Sequence, residues 1–387
     1  MMIFPKLLFV LAVSKTAFIT TKTTIVEAFP ISSSSSSSNK AKKGFGGKGV
    51  GGSSGGFGKR NDQVPTTHTV DESPTTTNLI KFLLSQQSKG IGPNSNTEVG
   101  IEGIRRGLYA SKPIKKGEII CQIPSDCCLA LSDPALGGSD SPTLAHNGRN
   151  FIEFYIRNAQ NNMMWSPYLD TLPTQDSLSS SSVTPDFYSQ EEIQQLEFPR
   201  AIKYAQQRVQ DIKDVSEKYG YDYDELQYAT WISSTRSFPI QLSSDEPVPE
   251  GDAVAKPSKT IRVLAPYIDL ANHSSNNANV ELHLIDPEKD EAWFALRATR
   301  PIKQGKELLR CFGNGVESSV ELLCNHGFVP DENKIDAFML KKGGDDAIES
   351  LTGWSTTLEE DEALSAAAEG NMKNVFKLRM QLKRSYE

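Results

Sequence analysis

The spacing of apolar positions changes along the chain, and each change predicts a different element. Asn78 to Leu84 has the pattern of a short helix, whereas Ile101 to Ala110 and Glu118 to Ile123 read as strands, joined through the turn Lys115-Lys116-Gly117. Between Phe151 and Phe238 the period lengthens. Ile202, Ala205, Val209, Ile212 and Val215 recur at helical spacing, and Leu226 to Ile232 forms a second helix behind the start signals Asp222 and Asp224. Strand patterns return at Ile261 to Leu264, at Asn279 to Ile285 with Val280, Leu282 and Leu284 on one face, and at Ala292 to Ala298. A hairpin around Pro287 to Asp290 joins the last two. The tail, 331–387, is expected to open with a strand, Ala337 to Leu340, and to close with helices carrying Leu364, Ala368, Val375, Leu378 and Leu382. The order β, α, β predicts an α+β fold with a helical insert at about 132–260. The Ser-rich stretches Leu178 to Pro185 and Ser243 to Ser258 read as loops beside that insert.

The first 74 residues do not share this patterning. Leu7 to Val13 is an apolar run behind Lys6, too short to span a bilayer but of signal-peptide size, so 1–28 reads as a signal peptide and not as a membrane anchor. Ala28 to Asn61 contains no acidic residue, and its lysines lie among serines and glycines; 29–74 therefore reads as a transit peptide or a disordered Ser/Gly linker. With Ala28-Phe29-Pro30 at the junction, the tandem resembles the bipartite presequence of algae with secondary plastids, and it implies delivery to a plastid through the secretory pathway. The alternative is an ordinary secretory signal followed by a linker.

A formal net charge of -7 argues against phosphate-tracking nucleic-acid binding. The five cysteines show no CxxC pair and no Cys/His cluster at zinc-ligand spacing, so no metal is expected, and adjacent Cys127 and Cys128 read as buried residues at a strand end.

Five segments then occur in a characteristic order: IRRGLYASKPIKKGEIICQIP at Ile104 to Pro124, SPYLDTLP at Ser166 to Pro173, ATWISSTRSF at Ala229 to Phe238, LAPYIDLANH at Leu264 to His273, and LLCNHGFVPDEN at Leu322 to Asn333. Together they resemble the split SET-domain protein methyltransferases of the Rubisco large-subunit lysine methyltransferase type, over about 99–330. The resemblance implies a SET β-fold of short sheets around the helical insert, and S-adenosyl-L-methionine (AdoMet) as cofactor. It implies that the backbone of Ile104, Arg105 and Arg106, the Arg236 side chain, and Asn272 with His273 hold that cofactor, with Phe328 near the adenine. Arg236 suits a carboxylate because its guanidinium pairs in a bidentate fork, though an Arg paired with a carboxylate of the insert has the same sequence appearance. Asn272 offers both a donor and an acceptor, or it caps the loop before His273. Asp269 either faces the substrate cleft or braces a turn.

Two departures from the family pattern bear on catalysis. Phe312, in LLRCFGNG, stands where active members carry a tyrosine, and His326 replaces the tyrosine of a Tyr-Gly-Phe element. An apolar channel lined by Phe312 and Phe238 is expected to lower the pKa of an entering lysine by desolvation, and His326 is a candidate base. Only the first part of the family's C-terminal substrate-binding region, resembling GWSTTLEEDEAL at Gly353 to Leu364, follows. The implied function is methyl transfer to a lysine of a protein substrate. The alternatives are transfer to a histidine, or a SET-fold binding or assembly protein without turnover.

Overall fold

The computed structural model describes residues 68–86, 92–93, 96–132, 143–180, 183–242, 259–286, 292–342 and 353–386. The expected signal and transit segments, the Ser243 to Ser258 loop and the Pro287 to Asp290 turn lie largely or wholly outside them. Among the described residues no helix is long and apolar enough to cross a membrane.

Short sheets form the body of the fold. Thr69–Val70, Thr97–Glu102 and Arg105–Ala110 pair antiparallel. The expected strand from Ile101 to Ala110 is in fact the corner of this hairpin, since Glu102 pairs with Arg105 across a two-residue turn that Gly103 enters at φ +62°. A second antiparallel sheet has Trp293–Ala298 at its centre, flanked by Ile119–Pro124 and Val280–Ile285. A third places Lys259–Leu264 between Leu129–Ala130 and Phe238–Leu242. The fourth contact is parallel: Leu309 pairs with Asn272 and Arg310 with His273. Asn279 fixes that short ladder, donating through Nδ2 to the Glu307 carbonyl (2.9 Å) and accepting from the Leu309 N–H through Oδ1 (2.9 Å).

The insert is helical. Helix Pro199–Tyr219 buries Ala201, Ala205, Ile212 and Val215 and stops at Gly220, whose φ of +73° no β-branched residue would accept cheaply. Helix Tyr223–Arg236 begins on Asp222, whose carboxylate accepts from the Glu225 N–H (3.0 Å), and ends by delivering Arg236 and Phe238 to the sheets. Helix Leu144–Phe151 crosses it so closely that a Cβ at Gly148 would lie 2.7 Å from the Thr230 nitrogen.

The tail corrects one expectation. Ala337 to Leu340 lies within a helix, Lys334–Lys342, and is not a strand. Asn333 just before it and Asp336 and Leu340 within it are buried at a spacing of three and four residues, and Asp336 is pinned by the N–H (2.6 Å) and hydroxyl (2.5 Å) of Ser319. A four-residue apolar run does not distinguish the two periods; the buried carboxylate does. The terminal helices Leu358–Ala367 and Gly370–Tyr386 dock through Arg379, which is 1% exposed and paired to Asp361 (3.1 Å) and to Glu197 of the insert (3.1 Å).

Candidate functional site

The parallel contact brings the Leu264 to His273 segment, the hairpin strand and the Phe312 turn together. Asn272 is the link. Its Nδ2 donates to the Arg106 carbonyl (3.0 Å) and to Glu307 (2.7 Å). Gly107 leaves room for this bridge, because a Cβ there would sit 2.8 Å from Asn272 Nδ2 and 2.7 Å from Glu307 Oε1. The three residues expected to offer their backbone behave differently. Ile104 is 97% exposed at the hairpin turn. Arg105 is exposed and reaches Glu307 only at 3.8 Å. Arg106 puts its carbonyl on Asn272, while its guanidinium turns outward to Asp71 (2.8 Å), Thr76 and the Thr171 carbonyl (3.3 Å), tying down helix Pro74–Ser85.

Arg236, at the end of its helix, meets Asp269 Oδ2 at 3.1 Å, and Tyr168 donates its hydroxyl to the same oxygen at 3.0 Å. Burial, with the Asp269 charge next, raises the Tyr168 phenol well above its usual range, so the donor keeps its proton. The Asp269 side chain is only 1% exposed. It braces Arg236 and Tyr168 through Oδ2, while its Oδ1 is buried without a partner. Arg236 spends only Nη1 on this pair. Its Nε and Nη2 find no acceptor among the described residues, and the side chain is 22% exposed. A free edge of the fork therefore remains for a carboxylate ligand.

Four rings cluster beyond this pair. The Phe312 ring lies 5.0 Å from His273, 4.6 Å from His326 and 6.1 Å from Phe328, and Phe328 is 5.4 Å from His273. His273 accepts the Phe312 N–H through Nδ1 (3.0 Å) and meets Ser275 Oγ through Nε2 (2.8 Å), so it orders the turn and has no nitrogen left for chemistry. Burial first, then His326 and Arg310, pushes its pKa down to about 4, and the ring stays neutral near pH 7. His326 lies with Nδ1 3.4 Å from the Thr235 carbonyl and Nε2 3.3 Å from Glu317. Both nitrogens of the candidate base are therefore turned toward protein oxygens.

The expected apolar channel between Phe312 and Phe238 is not apolar. The Arg310 guanidinium lies against both rings, its Cζ 4.0 Å from the Phe312 centroid and 4.3 Å from that of Phe238. Arg310 is 9% exposed, its Nε is buried without an acceptor, and no carboxylate among the described residues comes within ion-pairing distance. Burial lowers its pKa to about 10, which still leaves a cation at neutral pH. Sequence reasoning passed over Arg310, Tyr168 and Glu307. The available signal for Arg310 was a charge in a two-residue strand directly before the Phe312 turn. Among the described residues no group of three or more His, Cys, Asp or Glu is placed to hold a metal ion.

Two solved structures share this architecture. The SET domain of LSMT bound to lysine and AdoHcy superposes with a TM-score of 0.58 at 15% identity, covering 81% of this chain and 89% of that one. Rubisco LSMT bound to AdoMet gives 0.56 at 15% identity, covering 80% and 89%. Among curated proteins, the actin-histidine N-methyltransferases of Homo sapiens and Gallus gallus are 23% identical over 256 residues, which is 61% of this chain. The chain spans 40% of the length of these relatives. A family model for the SET domain matches residues 105–313, more than half of the chain and the stretch carrying Gly107, Arg236, Asn272, Arg310 and Phe312, and the chain therefore belongs to the SET-domain family.

Proposed function

We propose that this chain is an AdoMet-dependent protein N-methyltransferase. The observation that carries the reading is that one segment, Leu264 to His273, holds both the half-spent Arg236 fork, through Asp269, and the Asn272 bridge over Gly107, inside the SET-matched stretch. Both suit the amino-acid end of the cofactor, Arg236 by pairing with its carboxylate and Asn272 by offering an amide oxygen to its amine. Phe328, packed on His273, would supply an apolar face for the adenine. The bound cofactor supplies a sulfonium methyl that is already electrophilic, so the protein has to align the acceptor nitrogen and exclude water. The neutral, fully engaged His273 fixes the Phe312 turn, and the ring cluster around it shields the point of transfer.

Lysine is the acceptor implied by the split SET motifs. Histidine is favoured by one specific feature of this site, the buried cation against Phe238 and Phe312, and it matches the activity named for the curated relatives. A binding or assembly role without turnover draws support from the missing tyrosine hydroxyls at Phe312 and His326. The site of action we propose is a plastid, supported by the tandem leader composition and tested by following a fluorescent protein fused behind residues 1–74.

The deciding experiment pairs AdoMet calorimetry on the purified protein with transfer of a radiolabelled methyl group to proteins of an extract. Binding with transfer is expected. Binding without transfer supports the assembly role, and absence of binding by folded protein overturns the cofactor assignment.

A further inference from the structure

The Arg310 guanidinium carbon lies 4.0 Å from the centre of the Phe312 ring and 4.3 Å from that of Phe238, and its Nε is buried without an acceptor. Contact with two aromatic rings explains how the cation is held, since each ring attracts it through its quadrupole. It does not neutralise the charge. The influences of opposite sign, Asp269 and Glu317, lie beyond ion-pairing distance of it: Asp269 braces Arg236 and Tyr168 through Oδ2 and Glu317 faces His326, each keeping one buried oxygen without a hydrogen-bond partner. His273, which feels the Arg310 charge, adds no negative charge. The two rings therefore share a cation that has no ion-pair partner among the described residues.

We propose that Arg310 determines acceptor choice, excluding the ammonium of a lysine and admitting the neutral imidazole of a histidine; this rests on the methyltransferase reading above. A lysine arrives protonated, because its free pKa is near 10.4, and must shed its proton inside the site before its lone pair can attack. Bringing that ammonium within a few ångströms of an unpaired, buried guanidinium is opposed by like-charge repulsion that water screens poorly there. A histidine arrives largely uncharged at neutral pH, with a lone pair already available. In the transfer the imidazole lone pair forms the new N–C bond, the C–S bond breaks onto sulfur to give the thioether, and the ring N–H proton passes to solvent. No oxidant or further reactant is needed. Neither departure from the tyrosine pattern obstructs this, because a neutral acceptor does not require a hydroxyl to receive an ammonium proton.

The test separates the proposal from the reading beneath it. Wild type, Arg310→Met and Arg310→Lys are compared in three measurements on the full chain. Calorimetry with AdoMet reads the cofactor site alone, and loss of binding in folded wild type sinks the methyltransferase reading whatever Arg310 does. NMR titration with 4-methylimidazole and with butylammonium, in the presence of AdoHcy, reads acceptor preference without turnover. Wild type is expected to prefer the imidazole by at least roughly tenfold, Arg310→Lys to keep that preference, and Arg310→Met to lose it. Finally, labelled protein from an extract is acid-hydrolysed and the methylated amino acid identified: methylhistidine from wild type, with methyllysine appearing in Arg310→Met. Equal affinities in wild type, an unchanged ratio in a folded Arg310→Met variant, or methyllysine as the wild-type product overturns the proposal.

Discussion

Gly107→Ala is the sharpest probe of the link between the hairpin and the Asn272 segment. Gly107 is paired within a regular strand and needs no left-handed backbone, so alanine is conformationally acceptable there and the whole cost is steric. The new methyl would lie 2.7 Å from Glu307 Oε1 and 2.8 Å from Asn272 Nδ2, too close for either to stay. If Asn272 swings away it gives up a neutral bond to the Arg106 carbonyl, worth about 1 kcal/mol, and a charge-assisted bond to Glu307, worth about 1.5–3 kcal/mol. Reduced freedom of the unfolded chain returns about 0.4–1 kcal/mol, leaving a net loss of about 2 kcal/mol. Urea unfolding of the two single variants Gly107→Ala and Asn272→Ala, and of the double variant, measures the coupling. Because each single change removes the same bonds, the double variant should be about as stable as Gly107→Ala alone. The coupling should then be about 2 kcal/mol. Additivity within about 0.5 kcal/mol would refute the argument, since it would mean that the alanine methyl and the Asn272 amide do not compete for one space.

Three further outcomes are expected. His273 has its pKa depressed to about 4, so between pH 6.5 and 4 the unfolded chain binds a proton that the folded chain refuses, and stability falls with pH by up to about 1.4 kcal/mol per unit; unfolding free energies at several pH values should show a steeper loss for wild type than for His273→Asn, and equal slopes would contradict the burial argument. Arg236→Lys keeps a charge opposite Asp269 but loses the planar fork, so calorimetry should show AdoMet binding weakened by about tenfold with little change in unfolding free energy; unaltered affinity would remove Arg236 from the cofactor site. Gly148→Ala would press a methyl against the Thr230 backbone, which cannot rotate away, and thermal unfolding should report a loss of about 1–3 kcal/mol; a neutral result would mean that the two helices part freely.

Element type was legible in the sequence wherever the period was long enough to read. The insert helices Pro199–Tyr219 and Tyr223–Arg236 announce themselves by apolar residues at three and four, by Asp222 at a start and by Gly220 at a stop. The strands Val280–Ile285 and Trp293–Ala298 do so by alternation. The order of the motifs sufficed to identify the family resemblance. All of these signals are local, because helix and strand periods are properties of neighbouring residues. The tertiary structure decided what those motifs touch. Asn272 meets the Arg106 carbonyl across 166 positions of chain, and no periodicity encodes such a contact. Asp269, an ambiguous carboxylate in sequence, becomes a buried brace only because Arg236 and Tyr168 arrive from two different helices. The short run Ala337 to Leu340 became helix because Asp336 found the start of helix Ser319–His326. Arg310 looked like one more charged residue, and its meaning came from two rings contributed by separate segments, Phe238 and Phe312, which both lie against it and leave a cation where the sequence alone suggested an apolar channel.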